Sequence, residues 1–173
     1  MNLLKEPNIV EQILLKLSKV STIPNEGFLG GGAVANTLMN MKWDSEYPIN
    51  DLDIFIESDI TKEVFTPVRT NNLIVSSEYH GFAMSYDHGS NYRILDVNRD
   101  GMLNWIYISK VRDRENVKEY GYILNGFDFN CCQVGIDLSN NQLYYTSEFE
   151  EFLETKQLEI TAIYTPGHTA IRL

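Results

Sequence analysis

Three consecutive glycines, Gly30–Gly32, follow a short apolar run and precede a segment with helical periodicity. Val34, Leu38 and Met41 recur in that segment at the spacing of one helical face. Glycine lets the backbone turn tightly or approach a ligand closely, because it adopts conformations that other residues disfavour. The sequence therefore predicts a strand, a glycine turn and a helix in succession.

The start of this predicted helix is a candidate phosphate-binding site. Backbone N–H groups and the positive end of the helix dipole at a helix N-terminus suit an anion. Gly31, Gly32 and Ala33 are therefore candidate nucleotide-binding residues, and a tight turn with no ligand is the alternative. The glycines follow neither the G-x-G-x-x-G nor the Walker pattern, which disfavours dinucleotide binding and P-loop chemistry.

A D-x-D pair, Asp51 and Asp53, heads the next apolar run. Residues two apart in a strand share a face, so the two carboxylates project together from Cα atoms roughly 6.6 Å apart. Leu52, Ile54 and Ile56 alternate onto the opposite face. Two carboxylates on one face suit Mg²⁺, which completes its shell with water and phosphate oxygens. Solvated carboxylates at a strand edge are the alternative.

Asp128 is an acid within the apolar stretch 127–138, which predicts one long strand. A carboxylate placed in such a strand is costly to bury unless it binds a metal or accepts hydrogen bonds. Asp128 is thus a candidate third carboxylate, able to bind a second ion or accept the proton of an attacking hydroxyl. Asp96 and Asp100 are alternatives for that position, although a turn explains them more simply.

Three basic residues, Lys110, Arg112 and Arg114, follow the apolar run 103–109. Lys110 and Arg112 join the candidate nucleotide-binding set, because a triphosphate could be reached from the end of this predicted strand. A solvated helix start is the alternative.

Charge and hydropathy limit the classes of partner. Fourteen basic and 24 acidic residues give a net charge of −10, which disfavours extensive nucleic-acid binding but is compatible with a nucleotide escorted by Mg²⁺. No apolar run approaches the roughly 18 residues of a membrane span, and the first residues lack the pattern of a signal peptide. We therefore expect a cytoplasmic protein.

Cys131 and Cys132 are adjacent in the stretch that predicts a strand. Consecutive strand residues point to opposite faces. This geometry disfavours a shared metal or an ordinary disulfide, and both are expected to be small core residues in a reducing compartment.

The pattern along the whole chain predicts a single α+β domain over residues 1–173. Helical periodicity near 6–19 and 147–157 flanks short alternating runs, which favour a mixed, mostly antiparallel sheet. Ser147 is expected to cap the later helix, with Glu150 completing a capping box.

These motifs together resemble the catalytic module of the polymerase-beta-like nucleotidyltransferase superfamily, which includes CCA-adding and poly(A) polymerases. "GGAVAN", Gly31–Asn36, is similar to "GGAVRD" of CCA-adding enzymes, and "FDFNCC" is similar to their "DFTINA" strand. The stretch from residue 103 to the end looks like nucleotidyltransferase-like proteins of large viruses and phages, for which host cytoplasm would be the location. Ala35 and Asn36 replace the Arg and Asp of the CCA-adding motif, so the contacts of those two residues do not carry over.

The resemblance implies a nucleotidyltransferase fold with helices packed on one face of the sheet. It implies two Mg²⁺ ions held by Asp51, Asp53 and Asp128, and an NTP such as ATP whose β- and γ-phosphates bind at Gly31 and Gly32. The implied reaction moves an NMP to a hydroxyl of an RNA end, a protein or a small molecule. The alternative is an inactive module that binds a nucleotide or a partner protein.

The resemblance also bears on assembly. Relatives usually continue into helical base- and acceptor-binding regions, and we expect this chain to lack such an extended C-terminal helical region. The expectation is a minimal catalytic module, or one part of an assembly with a partner chain or a second copy.

Overall fold

The computed structural model describes residues 2–57, 92–110 and 120–161 of the 173-residue chain. The sequence also predicts a helix over residues 60–70 and short strands over 73–79 and 81–86, and these segments lie outside the described residues, as does the segment 162–173. Within the described part, helices and strands alternate in the manner of an α+β domain.

Four α-helices and two short 3-10 helices lie in the described residues. The α-helices are α1 (Ile9–Leu17), α2 (Gly32–Trp43), α3 (Gly121–Leu124) and α4 (Ser147–Thr155), and the 3-10 helices are Leu3–Lys5 and Asn130–Cys132. The strands are β1 (Phe28–Gly30), β2 (Leu52–Glu57), β3 (Tyr92–Asp100), β4 (Leu103–Lys110), β5 (Val134–Asp137) and β6 (Gln142–Tyr145).

The six described strands form one sheet in the order β3-β4-β2-β1-β5-β6. Only β2 and β4 pair in parallel, while the other four pairings are antiparallel. The hairpin between β3 and β4 turns at Gly101, whose φ of 61° favours glycine. The predicted α+β class with a mixed, mostly antiparallel sheet is confirmed.

A hydrophobic cluster covers each face of the sheet, because successive strand residues point to opposite sides. On one side Leu29 and Ile54 pack with residues of α1, α2 and α4 such as Ile13 and Phe149. On the other side aromatic and branched residues of four strands pack with Ile123 and Leu124 of α3, namely Phe28, Phe55, Ile94, Val97, Ile106 and Ile108. The three longer helices thus lie against one face, and the short α3 contributes to the other.

The prediction of one long strand over residues 127–138 is wrong. A 3-10 helix at Asn130–Cys132 interrupts it, and β5 begins only at Val134. The physical cause is Asn130, which is buried and forms hydrogen bonds through its amide to the Gln157 carbonyl (2.9 Å) and the Glu159 N–H (2.9 Å). A buried amide requires such partners, and the turn delivers it to them.

The predicted cap of α4 is also displaced. Thr146, not Ser147, is the N-cap, and its hydroxyl accepts a hydrogen bond from the Phe149 N–H at 3.1 Å. The same hydroxyl donates to Oε1 of buried Gln133 at 2.8 Å. Thr146 is therefore fixed from both sides, which explains why the helix begins one residue earlier than the capping-box pattern indicates.

Gly135 in β5 lies at a closely packed contact between β5 and β1. A Cβ at this position would lie 2.8 Å from the Leu29 carbonyl oxygen and closer still to the Phe28 ring. The Phe28 ring cannot withdraw easily because it stacks on Tyr120 with centroids 4.4 Å apart. We expect Gly135→Ala to lower the free energy of unfolding by about 1–3 kcal/mol, the usual cost of overpacking.

Urea unfolding measures this change. Gly32→Ala is the matched control, since nothing in the described part of the chain lies within 4 Å of a Cβ there. Equal unfolding midpoints for the two variants would contradict the packing argument.

Asp137 is a buried carboxylate at the end of β5. Its Oδ2 accepts a hydrogen bond from the Tyr120 hydroxyl at 2.7 Å, and its Oδ1 accepts from the Ser139 N–H at 2.9 Å and the Ser139 hydroxyl at 2.6 Å. Burial by itself raises the pKa of Asp137, but hydrogen bonds from the Ser139 hydroxyl, Tyr120 and the Ser139 backbone together hold it below the usual 3.8.

Acid should therefore weaken the fold through Asp137. A carboxyl whose pKa falls on folding stabilises the native state fully above its unfolded pKa, and this contribution is lost as pH falls through the folded value. We expect Asp137→Asn to lower the free energy of unfolding near neutral pH and to reduce the further loss below the unfolded value of 3.8. Urea unfolding midpoints measured from neutral pH to below 3.8 report both effects. Asp100→Asn, at an exposed position, is the control. An acid-induced loss as large in Asp137→Asn as in the original chain would contradict the assignment.

Candidate functional site

The glycine turn connects the centre of the sheet to a helix. β1 ends at Gly30, Gly31 has a φ of 78°, and Gly32 begins α2. The Gly31 N–H donates to the Val134 carbonyl at 3.0 Å, which fixes the turn to β5. The predicted succession of strand, turn and helix is confirmed, and the positive φ explains why position 31 favours glycine.

Few of the described residues lie close to the start of α2. Nothing in the described part of the chain comes within 4 Å of a Cβ placed on Gly32, and only the Phe127 ring, at 3.8 Å, approaches one placed on Gly31. Ala33 is buried, and its carbonyl accepts a hydrogen bond from the Thr37 hydroxyl at 2.7 Å. Any contact of Ala33 with a ligand would therefore come from its backbone N–H.

The D-x-D pair lies beside this turn. Asp51 immediately precedes β2, and Asp53 is the second residue of β2, where it pairs with Gly30 across the antiparallel β1–β2 ladder. Leu52 and Ile54 are fully buried on the opposite face, as the alternation predicts. The backbones of Asp53 and Gly30 consequently lie about one strand spacing, roughly 4.8 Å, apart across the sheet.

Asn104 is a site residue that the sequence did not reveal. It pairs with Asp53 in the parallel β2–β4 ladder, and its Nδ2 donates to Asp51 Oδ2 at 3.2 Å and to Asp53 Oδ1 at 3.0 Å. One amide group thus bridges the two carboxylates. The only signal in the sequence is a polar residue near the start of the apolar run 103–109.

Arg99 of β3 brings positive charge to the rim of the pair. Its Nη1 lies 3.9 Å from Asp51 Oδ2 and donates to Asn104 Oδ1 at 3.4 Å. The side chains of Arg99 and Asp51 are 40% and 42% exposed, respectively. An exposed ion pair of this length contributes little to stability, so Arg99 adjusts the local charge without closing the site.

The loop that leads to Asp51 is tied to α2. Asn36 Nδ2 donates to the Pro48 carbonyl at 2.9 Å, and Asn40 exchanges hydrogen bonds with the Tyr47 backbone at 2.9 and 2.7 Å. Asn36 and Asn40 thus help to position the segment that leads to the first aspartate of the pair.

Asp128 is a buried residue that lies outside β5. It is 8% exposed, and its carbonyl accepts a hydrogen bond from the Thr161 N–H at 2.8 Å. The preceding residue, Phe127, extends its ring to within 3.5 Å of a Cβ placed on Gly30. The described residues contain no group of three or more His, Cys, Asp or Glu side chains that could hold a metal ion. Joint ligation by Asp51, Asp53 and Asp128 stays a prediction.

The remaining candidates are less informative. Lys110 is the last residue of β4, while Arg112 and Arg114 lie outside the described residues. Asp96 Oδ1 accepts a hydrogen bond from the Val97 N–H at 2.9 Å beside an irregularity in β3. Asp100 ends β3 directly before the turn at Gly101. The turn thus explains Asp100, whereas Asp96 lies within the strand.

The two carboxylates converge on the amide nitrogen of Asn104, whose N–H group donates to both. Mg²⁺ takes carboxylate oxygens as ligands and retains several waters. Asp51 and Asp53 would hold the ion, and the half-exposed position of the pair leaves room for water and phosphate oxygens.

The chain matches no model of a known protein family and no curated protein. Within the part of the chain that the structure describes, no helix has the length and apolar character needed to cross a membrane.

Asn104 offers a direct test of the pair as a cation site. Asn104→Asp replaces two attractive contacts by repulsion among three carboxylates. We expect the variant to unfold at a lower temperature than the original chain in chelator, and to gain more thermal stability from Mg²⁺ or Mn²⁺. Thermal unfolding with and without each ion measures both effects.

Asn98→Asp is the matched control, because it adds the same charge at an exposed position on β3. If Asn98→Asp and Asn104→Asp respond equally to divalent ions, the pair is not the cation site.

Proposed function

We propose that this chain is a Mg²⁺-dependent nucleotidyltransferase that moves an NMP from an NTP to a hydroxyl acceptor. One observation carries the proposal: Gly30 pairs with Asp53, so a glycine turn that opens a helix lies beside a D-x-D pair. Phosphate-binding N–H groups and cation-binding carboxylates are both needed for a metal–triphosphate complex. The resemblance to the polymerase-beta-like superfamily supports the same function.

Each part of the site has a role in this proposal. Gly31, Gly32 and the backbone after them bind the β- and γ-phosphates, and Asp51 and Asp53 hold the metal. Bound Mg²⁺ would supply charge neutralisation at the phosphoryl oxygens of an in-line displacement. Asp128 would complete the second-metal site and favour loss of the proton from the acceptor hydroxyl. Positioning and electrostatics account for most of the catalysis in such transfers.

The net charge of the protein bears on which class of acceptor it can bind. With a net charge of −10, the chain offers little attraction for an extended phosphate backbone. An RNA acceptor would then be engaged through its end, or together with a partner chain. A protein or small-molecule hydroxyl requires no basic surface.

A second candidate function is an inactive nucleotidyltransferase-like module that binds nucleotide or a partner protein. The observation that favours it is Asn104, because the side chain that contacts both aspartates is a neutral amide. Such a site carries two carboxylates where the superfamily has three. Calorimetry with Mg²⁺ and each NTP, followed by an assay for pyrophosphate release, separates the two functions. Binding without pyrophosphate release across RNA, protein and small-molecule acceptors would favour the module.

Asp51→Asn is the decisive substitution for the enzymatic proposal. It removes one metal-binding charge with little change in shape, so we expect NMP transfer to fall at least about a hundredfold while the fold persists. Labelled NTP incubated with the chain and cell extract reports transfer to any acceptor, and circular dichroism reports folding.

Asp44→Asn is the control. Asp44 is exposed at the end of α2 with a φ of 52°, a conformation that asparagine tolerates. Full transfer activity in Asp51→Asn would refute the assignment of the metal site.

A further inference from the structure

The adjacent thiols of Cys131 and Cys132 lie on one side of the chain. A strand would have pointed them to opposite faces, but the 3-10 helix at Asn130–Cys132 brings their Sγ atoms to 3.8 Å. Both residues are partly exposed, and neither forms a disulfide. The strand geometry that disfavoured a shared metal is therefore wrong at this point of the chain, and the two cysteines are not the buried core residues that the sequence predicts.

The turn that carries the thiols is held at both ends by buried amides. Asn130 bonds to the backbone of 157–159, and its own N–H donates to the Glu159 carbonyl at 3.0 Å. Gln133 donates to the Thr161 hydroxyl at 3.1 Å and accepts from Thr146. Because Asn130 and Gln133 directly flank the cysteines, these hydrogen bonds hold the backbone of the turn in place.

That spacing matches two thiolates on one metal ion. Zinc–sulfur bonds of about 2.3 Å in tetrahedral geometry place two sulfurs roughly 3.8 Å apart, as found between Cys131 and Cys132. A disulfide instead has an S–S distance of about 2.0 Å and usually joins Cα atoms more than about 4.4 Å apart. Consecutive Cα atoms across a trans peptide are about 3.8 Å apart, and no peptide bond described here is cis. The pair is therefore better placed to share an ion than to oxidise.

We propose that Cys131 and Cys132 form a bidentate site for a thiophilic divalent cation of the Zn²⁺ or Cd²⁺ type. Each thiol loses a proton and forms one sulfur–metal bond, so one ion binds and two protons leave, with no change of oxidation state. The described residues bring no third His, Cys, Asp or Glu side chain to the pair. Water or an incoming ligand would occupy the other coordination positions of the ion. This site takes a soft ion, whereas the carboxylates of Asp51 and Asp53 suit a hard one.

Cadmium titration of the reduced full chain tests the site, because thiolate-to-cadmium charge transfer absorbs in the ultraviolet. We expect one Cd²⁺ per chain and the release of two protons. Cys131→Ser and Cys132→Ser should each weaken binding by about a hundredfold, since the second sulfur–metal bond is no longer intramolecular. Competition by Zn²⁺ should abolish the absorption.

Two sets of control variants separate the possible results of the cadmium titration. Asp51→Asn should bind Cd²⁺ as the original chain does, because the carboxylate pair is a separate site. Cys131→Ala and Cys132→Ala, with circular dichroism, separate loss of a ligand from loss of fold. Binding of one ion at each thiol, equal affinity in a single-cysteine variant, or absence of charge transfer in the original chain would each overturn the proposal. So would ready loss of two hydrogen masses on treatment with an oxidised low-molecular-weight thiol.

Discussion

The rest of the structure depends on the pairing of β1 with strands on both of its sides. β1 has three residues, all buried, and each pairs with β2 on one side and β5 on the other. Leu29 supplies the centre of the helix-covered core, Phe28 supplies the centre of the opposite cluster, and Gly30 supplies the start of the turn. A register shift of one residue would exchange Phe28 and Leu29 between the faces and would move Gly30 away from Asp53.

The parts of the fold and of the site that the sequence predicted correctly are those that local patterns determine. The glycine turn, the face shared by Asp51 and Asp53, and the apolar helices depend on neighbouring residues, so periodicity reveals them. Asn104 was missed because the parallel β2–β4 pairing joins residues more than 50 positions apart, such as Asp53 and Asn104. The 3-10 helix before β5 was missed for a similar reason, since the partners of Asn130 lie at residues 157–159. The one-residue error at Thr146 is of the size at which helix boundaries are usually uncertain.

The two candidate ligand sites differ in how the fold prepares them. At the D-x-D pair, strand register sets the position of the carboxylates, and the amide of Asn104 reduces their mutual repulsion. At the cysteines, buried amides on either side hold a short turn whose thiols would otherwise be on opposite faces. Val134 links the two regions, because it follows the cysteine turn and accepts the hydrogen bond from the Gly31 N–H. The carboxylate oxygens and the cysteine sulfurs therefore form two separate candidate sites, although the hydrogen bond to Val134 connects their backbones.

The order of strands in the sheet also affects how the chain emerges during synthesis. β1 ends at Gly30, but β5 begins at Val134, so one side of β1 stays unpaired until more than a hundred further residues have been made. At roughly 5–20 residues per second, this interval is on the order of 5–20 s. Throughout it, the apolar edge formed by Phe28 and Leu29 has no native neighbour on that side. The nascent chain is thus exposed to edge-to-edge aggregation or chaperone capture for longer than a protein of this size with sequential hairpins.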